Sequence, residues 1–280
     1  MATEFHIDAL LPHEMAQRAE DIGVQKSKSS TSATFTLAVL AGAFIALGAM
    51  FATIVATGTT ALPFGVSRLL VGLVFCLGLI LVIVGGAELF TGNNLIIMAW
   101  ASRRVTTFSL LRNWAIVYVG NLFGALGTVI LVFLTRQYTT AGGSVGTTAL
   151  AIADVKVNLG FLQAFVLGIM CNIMVCLAVW LSYSARSTVD KIASIIFPIT
   201  AFVAAGFEHS VANMYFIPMG LFIKQFAPAI AAGSGLSLSN LTWGNFLISN
   251  LLPVTIGNII GGSLFVAAVY WLVFLRGKRG

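Results

Sequence analysis

Six long apolar runs without a charged side chain leave this chain few ways to fold. They occupy 35–67, 69–87, 113–135, 157–185, 192–207 and 241–275. A helix that crosses a bilayer core of about 30 Å needs roughly 20 apolar residues at about 1.5 Å each. The runs therefore predict an all-α integral membrane protein with six crossings, near 35–57, 69–101, 109–135, 157–185, 190–220 and 245–275. The fifth is one span only if Glu208 and His209 are accepted inside it. Composition supports this reading, because 9% of the residues are charged against roughly 25% in soluble domains. That excludes an ordinary cytosolic enzyme, and an apolar content of 59% excludes a disordered or collagenous chain. The net charge of +6 does not indicate nucleic acid, because the basic residues sit in short segments between the spans.

Orientation follows from lysine and arginine. With both termini on one side, that side holds 11 basic residues and the other holds 4, namely Arg68, Arg136, Lys156 and Lys224. Both termini are thus expected in the cytoplasm. The sequence divides into a cytoplasmic segment 1–30, a transmembrane domain 31–276 and a short cytoplasmic tail 277–280. The first 30 residues carry acids throughout and lack the apolar core of a signal peptide. They read as a surface helix opening at Pro12 and stopping near Gly23, with Leu11, Met15, Ala19 and Ile22 on one face. A plug or docking element and an interfacial helix both fit, and the interfacial helix is preferred. Cys76, Cys171 and Cys176 fall inside apolar spans with no zinc-site spacing and read as packing residues. Neither metal nor cofactor is expected.

Residues 69–101 and 192–223 are too long for single straight spans, about 45–50 Å of helix each, and each carries a glutamate inside. Gly86-Ala-Glu88-Leu-Phe-Thr-Gly-Asn93 aligns with Gly206-Phe-Glu208-His-Ser-Val-Ala-Asn213 at an offset of 120. Asn113, Gly120, Asn121 and Gly124 align with Asn250, Gly257, Asn258 and Gly261 at an offset of 137. Two ordered blocks make an internal repeat. Its copies lie three crossings apart, so they run in opposite directions: an inverted 3+3 repeat with helices two and five broken. Such breaks are tolerable only against protein or a wet cavity, and in inverted repeats they mark the transport path. A pore is therefore expected between Glu88–Asn93 and Glu208–Asn213.

The same residues carry a family resemblance. Ile83-Val-Gly-Gly-Ala-Glu-Leu-Phe-Thr-Gly92 and Gly168-Ile-Met-Cys-Asn-Ile-Met-Val-Cys-Leu-Ala178 resemble the two signatures of the formate/nitrite transporter family, and Gly206–Met214 resembles its broken fifth helix. The Leu10-Leu-Pro12 start, Lys156 and Pro253–Gly262 are most similar to its formate-channel branch. The resemblance implies an aquaporin-like protomer in a bacterial inner membrane, assembled as a homopentamer with one pore per protomer. No aquaporin Asn-Pro-Ala motif occurs, so water selectivity is not expected. It further implies that Thr91 faces His209 at the pore centre, with Glu208, Lys156 and Asn172 as polar partners. Phe75, Leu79, Leu89, Phe90, Val175 and Phe202 would form the apolar constrictions. Formate is the implied substrate, with nitrite or hydrosulfide as the alternative small anion. A cytoplasmic formate-metabolising enzyme is conceivable as a partner of the N-terminal segment.

Read without the family, His209 is an ionisable residue inside a span and a functional candidate for that reason. Glu88 and Glu208 could simply accept backbone N–H groups at the breaks, the preferred reading for Glu88, while Glu208 could also tune the histidine. Thr91 could bond to its own turn, and Asn172 could be interhelical glue. Lys156, at the start of span four, could snorkel, gather anions or reach His209. An ion moved into a low-dielectric slit costs of order 20 kcal/mol before relaxation and still several after it. Neutralising a carboxylate of pKa near 3.5 at pH 7 costs roughly 5 kcal/mol. These ranges overlap, so His209 could hand over a proton, or act as a fixed hydrogen-bond donor while the anion passes. Two rivals of other classes are weaker. An intramembrane serine hydrolase would need a base presented to Ser210, and a haem subunit commonly needs paired axial histidines.

Overall fold

The structure, a computed structural model, describes residues 9–278, so Arg279 of the basic tail lies outside the described residues. Its helices are α1 (Pro12–Lys28), α2 (Thr31–Ala56), α3 (Phe64–Gly85), α4 (Ile97–Ala101), α5 (Thr107–Leu134), α6 (Ser144–Val157), α7 (Phe161–Ser184), α8 (Thr188–Ala205), α9 (Ser210–Phe226), α10 (Pro228–Gly233) and α11 (Trp243–Phe274). Six of them, α2, α3, α5, α7, α8 and α11, are long and apolar enough to cross a membrane. No strand occurs among the described residues. The last helix widens into π geometry over Phe246–Leu251 and Gly261–Ala268.

The two overlong stretches break where their glycines stand. Gly86 caps α3 at φ 76° and Gly206 caps α8 at φ 78°, left-handed conformations that a side chain disfavours. At each end the following residue bonds back five positions, Ala87 N–H to Val82 O and Phe207 N–H to Phe202 O. The chain then leaves helical geometry, and Glu88 N–H donates to Leu37 O as Glu208 N–H donates to Leu167 O. Helix resumes differently in the two copies. The first passes through a 3₁₀ turn over Gly92–Ile96 into the five-residue α4, whereas the second resumes as the 17-residue α9.

The repeat extends further toward the N-terminus than the two sequence blocks. Leu37 and Leu167 occupy equivalent places in α2 and α7, 130 residues apart, and the same offset carries Lys26 of α1 onto Lys156 of α6. Each half therefore begins with a short helix that lies over the mouth of a break. Helix α6 is absent from the sequence reading, which placed Lys156 at the start of span four; Lys156 belongs instead to the last turn of α6. Its inner face of Val145, Ala149, Leu150 and Ala153 is buried, and α6 packs on α9.

Helix α1 also departs from expectation. It continues to Lys28, because Gly23 is not a stop but a point of close approach, where a Cβ would stand 3.0 Å from that of Ala99. Met15, Ala16, Ala19 and Gly23 form the buried face, while Leu11 is exposed. Arg104 ties α1 to the loop after α4 through Glu20 at 3.0 Å and Asp21 at 2.6 Å, and Arg18 donates to Tyr183 O at 3.0 Å.

The repeated glycines bring helix backbones together. A Cβ at Gly124 would collide with Val39 O, and its equivalent at Gly261 would collide with Ile169 O. Gly124→Ala and Gly261→Ala should each force α2 from α5 or α7 from α11 and cost about 1–3 kcal/mol as overpacking. Thermal unfolding in detergent measures this. Gly127→Ala, where a Cβ meets nothing within 4 Å, serves as the neutral control.

Candidate functional site

Asparagines hold both broken segments from behind. Asn121 Nδ2 donates to Ala38 O at 2.7 Å and Glu88 O at 2.9 Å, and its Oδ1 accepts Phe90 N–H at 2.9 Å. Asn258 repeats this with Gly168 O at 2.8 Å, Glu208 O at 3.0 Å and Ser210 N–H at 2.9 Å. Each clasp grips the residues on either side of one position, Leu89 in the first copy and His209 in the second. Buried groups at a break need such partners, since water is not there to supply them.

Both carboxylates are neutralised by a lysine and asparagines. Glu88 takes Lys26 Nζ at 2.8 Å and Asn93 Nδ2 at 2.6 Å. Glu208 takes Lys156 Nζ at 2.6 Å, Asn213 Nδ2 at 2.7 Å and Asn250 Nδ2 at 3.2 Å. Glu88 therefore binds side chains rather than the backbone N–H groups preferred from sequence. The Glu208 carboxylate bonds to Lys156 and two asparagines rather than to the imidazole.

His209 and Thr91 meet between the two breaks. His209 caps α9, its Nδ1 accepting Ala212 N–H at 3.1 Å, and its Nε2 lies 2.8 Å from Thr91 Oγ1. A ring nitrogen that accepts an N–H carries no proton, so the proton of the neutral imidazole is on Nε2. Nε2–H then donates to Thr91, whose own hydroxyl hydrogen is left to donate elsewhere. Both residues are buried.

Two cavities with no lining residue in common approach this pair from opposite sides. One, of about 390 Å³, is lined by Arg18, Lys26, Leu79, Glu88, Leu89 and Lys191, among others. The other, of about 570 Å³, is lined by Arg68, Phe75, Lys156, Phe202, Glu208 and His209, among others. Phe75 and Phe202 meet edge to face at 5.6 Å, and Phe202 lies 6.0 Å from the His209 ring. Leu79 and Leu89 thus border the first cavity, and Phe75 and Phe202 the second. Phe90 is buried against Tyr118 at 4.8 Å, and Val175 is buried; neither lines either of these two cavities. Asn172 lines neither cavity, and its Nδ2 donates to Thr91 O, Asn94 Oδ1 and Asn258 O, bracing the Thr91 loop.

The sequence reading missed Lys26 and Asn250 as partners of the two carboxylates, Asn113, whose Oδ1 accepts from Asn93 Nδ2 at 2.9 Å, and Arg68 beside the second cavity. For Lys26 a signal existed. Lys26 and Lys156 stand in a third register of the same repeat, marked only by scattered identities such as Ile22/Ile152 and Leu37/Leu167.

A buried polar pair between two cavities, framed by inverted broken helices and apolar side chains, defines a membrane channel or transporter. The model of the formate/nitrite transporter family matches residues 13–272. The chain belongs to that family. It is 49% identical over 280 residues to the formate channel FocA of Escherichia coli K12, covering 99% of this chain and 98% of the relative. It is 41% identical over 262 residues to the formate channel FocA of Haemophilus influenzae, covering 92% of each. A solved pentameric formate channel with formate bound superposes with a TM-score of 0.82 at 47% identity, covering 88% of this chain and 98% of that one.

Proposed function

We propose that this protein passes formate across a bacterial cytoplasmic membrane through a pore in each protomer of a homopentamer, with residues 31–276 as the conducting domain. The observation that carries the reading is the Thr91–His209 pair, buried between two cavities that the apolar side chains separate. The close similarity to formate channels, one of them solved as a pentamer, supports the substrate and the assembly. Excess basic charge on one side supports cytoplasmic termini. A formate-metabolising enzyme docking on the N-terminal segment belongs to the same proposal, supported by the exposed outer face of α1, including His13, Gln17 and Asp21.

Formate reaching the centre finds two donors, Nε2–H of His209 and the Thr91 hydroxyl, where water is scarce. As placed, His209 is a fixed donor to an anion. Handing over a proton requires more. A second proton on Nδ1 would face Ala212 N–H, so the imidazole must first leave that bond. The fixed-donor route therefore comes first, and proton transfer is a second route open to a turned ring.

Formate flux into proteoliposomes, recorded with internal pH and membrane current, tests both. Formate should cross and carry current. Flux matched by a pH change with little current would favour the proton route. Nitrite or hydrosulfide passing freely where formate does not would overturn the substrate and leave the fold untouched.

A further inference from the structure

Charge in the larger cavity is not where the conspicuous lysine stands. Lys156 is spent on Glu208 at 2.6 Å, with the two side chains only 15% and 5% exposed, so this pair adds no net charge. Among the lining residues, Arg68 is the cation without a carboxylate. It rises from the first turn of α3, and its Nε donates to Ala204 O at 2.8 Å and its Nη2 to Val203 O at 2.7 Å. These are carbonyls of the last turn of α8, which ends beside the break. A helix end of that polarity repels anions, and the guanidinium offsets it while keeping its own full charge. Gly206 leaves room for the contact, since a Cβ there would stand 3.1 Å from Arg68 Nη2.

We infer that Arg68 is the anion-gathering residue of this mouth. It is fixed by the α8 carbonyls, and it sets how the flux depends on substrate concentration, whereas the Lys156–Glu208 pair is neutral structure. The inference rests on the reading that the pore conducts small anions. A low-dielectric cleft with one net positive charge raises the local anion concentration by an amount that falls with ionic strength. The opposite cavity has its own surplus, Arg18 and Lys191 beside the Lys26–Glu88 pair, so the effect belongs to one mouth.

The test is initial formate flux into proteoliposomes against formate concentration, at low and high potassium sulfate. Wild type is compared with Arg68→Gln, Arg68→Lys and Arg68→Gln/Thr148→Lys. Thr148 lines the same cavity, so the last variant returns a charge without the helix cap. Arg68→Gln should raise the half-saturating formate concentration about 5- to 10-fold at low salt, with the maximal rate kept. The gap should close to under about twofold near 0.5 M salt, and both lysine variants should restore wild-type behaviour. Equal loss of maximal rate in Arg68→Gln and Arg68→Lys, with unchanged half-saturation, would mean a helix cap only and overturn the inference. If Arg68→Gln does not assemble, the wild-type salt titration decides, because half-saturation insensitive to salt overturns it as well. A wild type silent to formate, nitrite and hydrosulfide overturns the anion-channel reading along with this one. Normal wild-type flux that Arg68→Gln leaves unchanged overturns this one alone.

Discussion

Replacing His209 by alanine is expected to cut formate flux about 10- to 100-fold, and His209→Asn to recover a large part of the loss. The magnitude follows from the donor being removed, since a hydrogen bond to a charged group is worth about 1.5–3 kcal/mol. Alanine also strips the cap from Ala212 N–H, which costs about 1 kcal/mol of stability, so both variants need a thermal-unfolding control. Asparagine offers an N–H donor on the same side of the break but does not titrate near neutral pH. The comparison therefore separates the two routes. If imidazole serves as a fixed donor, His209→Asn retains flux that carries current. If the ring turns and delivers a proton, the substitution abolishes flux matched by a pH change. Flux in His209→Asn as low as in His209→Ala, with neither current nor pH change, would sink the donor reading.

The second large effect concerns stability. Lys156→Met removes one partner of a buried ion pair and leaves the Glu208 carboxylate, 5% exposed, with only two asparagine amides. An orphaned buried charge typically costs about 3–5 kcal/mol, while removing both charges together is far milder. Lys156→Met should therefore lower the unfolding temperature in detergent sharply, and Lys156→Met/Glu208→Gln should regain most of the loss. The equivalent Lys26→Met should cost less. Its pair is 25% and 12% exposed, so water can partly solvate the abandoned Glu88. A double variant as unstable as Lys156→Met alone would show that the lysine acts through its contact with the Phe216 ring, 5.4 Å away, and not through its pair with Glu208.

What could be read beforehand follows from what repeats in linear order. Gly86 and Gly206 announced the breaks, because each is followed by the same Glu-x₄-Asn spacing, and the glycine pairs of α5 and α11 announced the close helix contacts. Lys26 and α6 stayed hidden for a different reason. Helix α6 is mostly alanine, threonine and valine, with mild amphipathicity and no strong cap, and its relation to α1 rests on three scattered identities, Ala19/Ala149, Ile22/Ile152 and Lys26/Lys156. The clusters around the two glutamates depend on side chains brought together from separate helices and from the breaks themselves, and no local spacing encodes that convergence. The tautomer of His209 was equally out of reach, because it is set by Ala212 N–H across one turn of a helix whose start is visible only in three dimensions.

One further contact carries a consequence for direction. Tyr118 and Thr255 occupy equivalent positions in α5 and α11, 137 residues apart, and their hydroxyls meet at 2.8 Å. Equivalent groups can touch one another only where the pseudo-twofold axis passes, so the two halves are hinged about this point like mirrored doors. A backbone frame with that property is alike from either face, although the two cavities differ in volume and lining. Any rectification must then arise from the few places where the copies disagree. These include Leu89 set against His209, Thr91 set against Val211, an abbreviated half-helix set against a long one, and cavities of unequal lining. The frame sets no preferred direction of its own, so under the proposed reading the prevailing gradients would choose which way it runs.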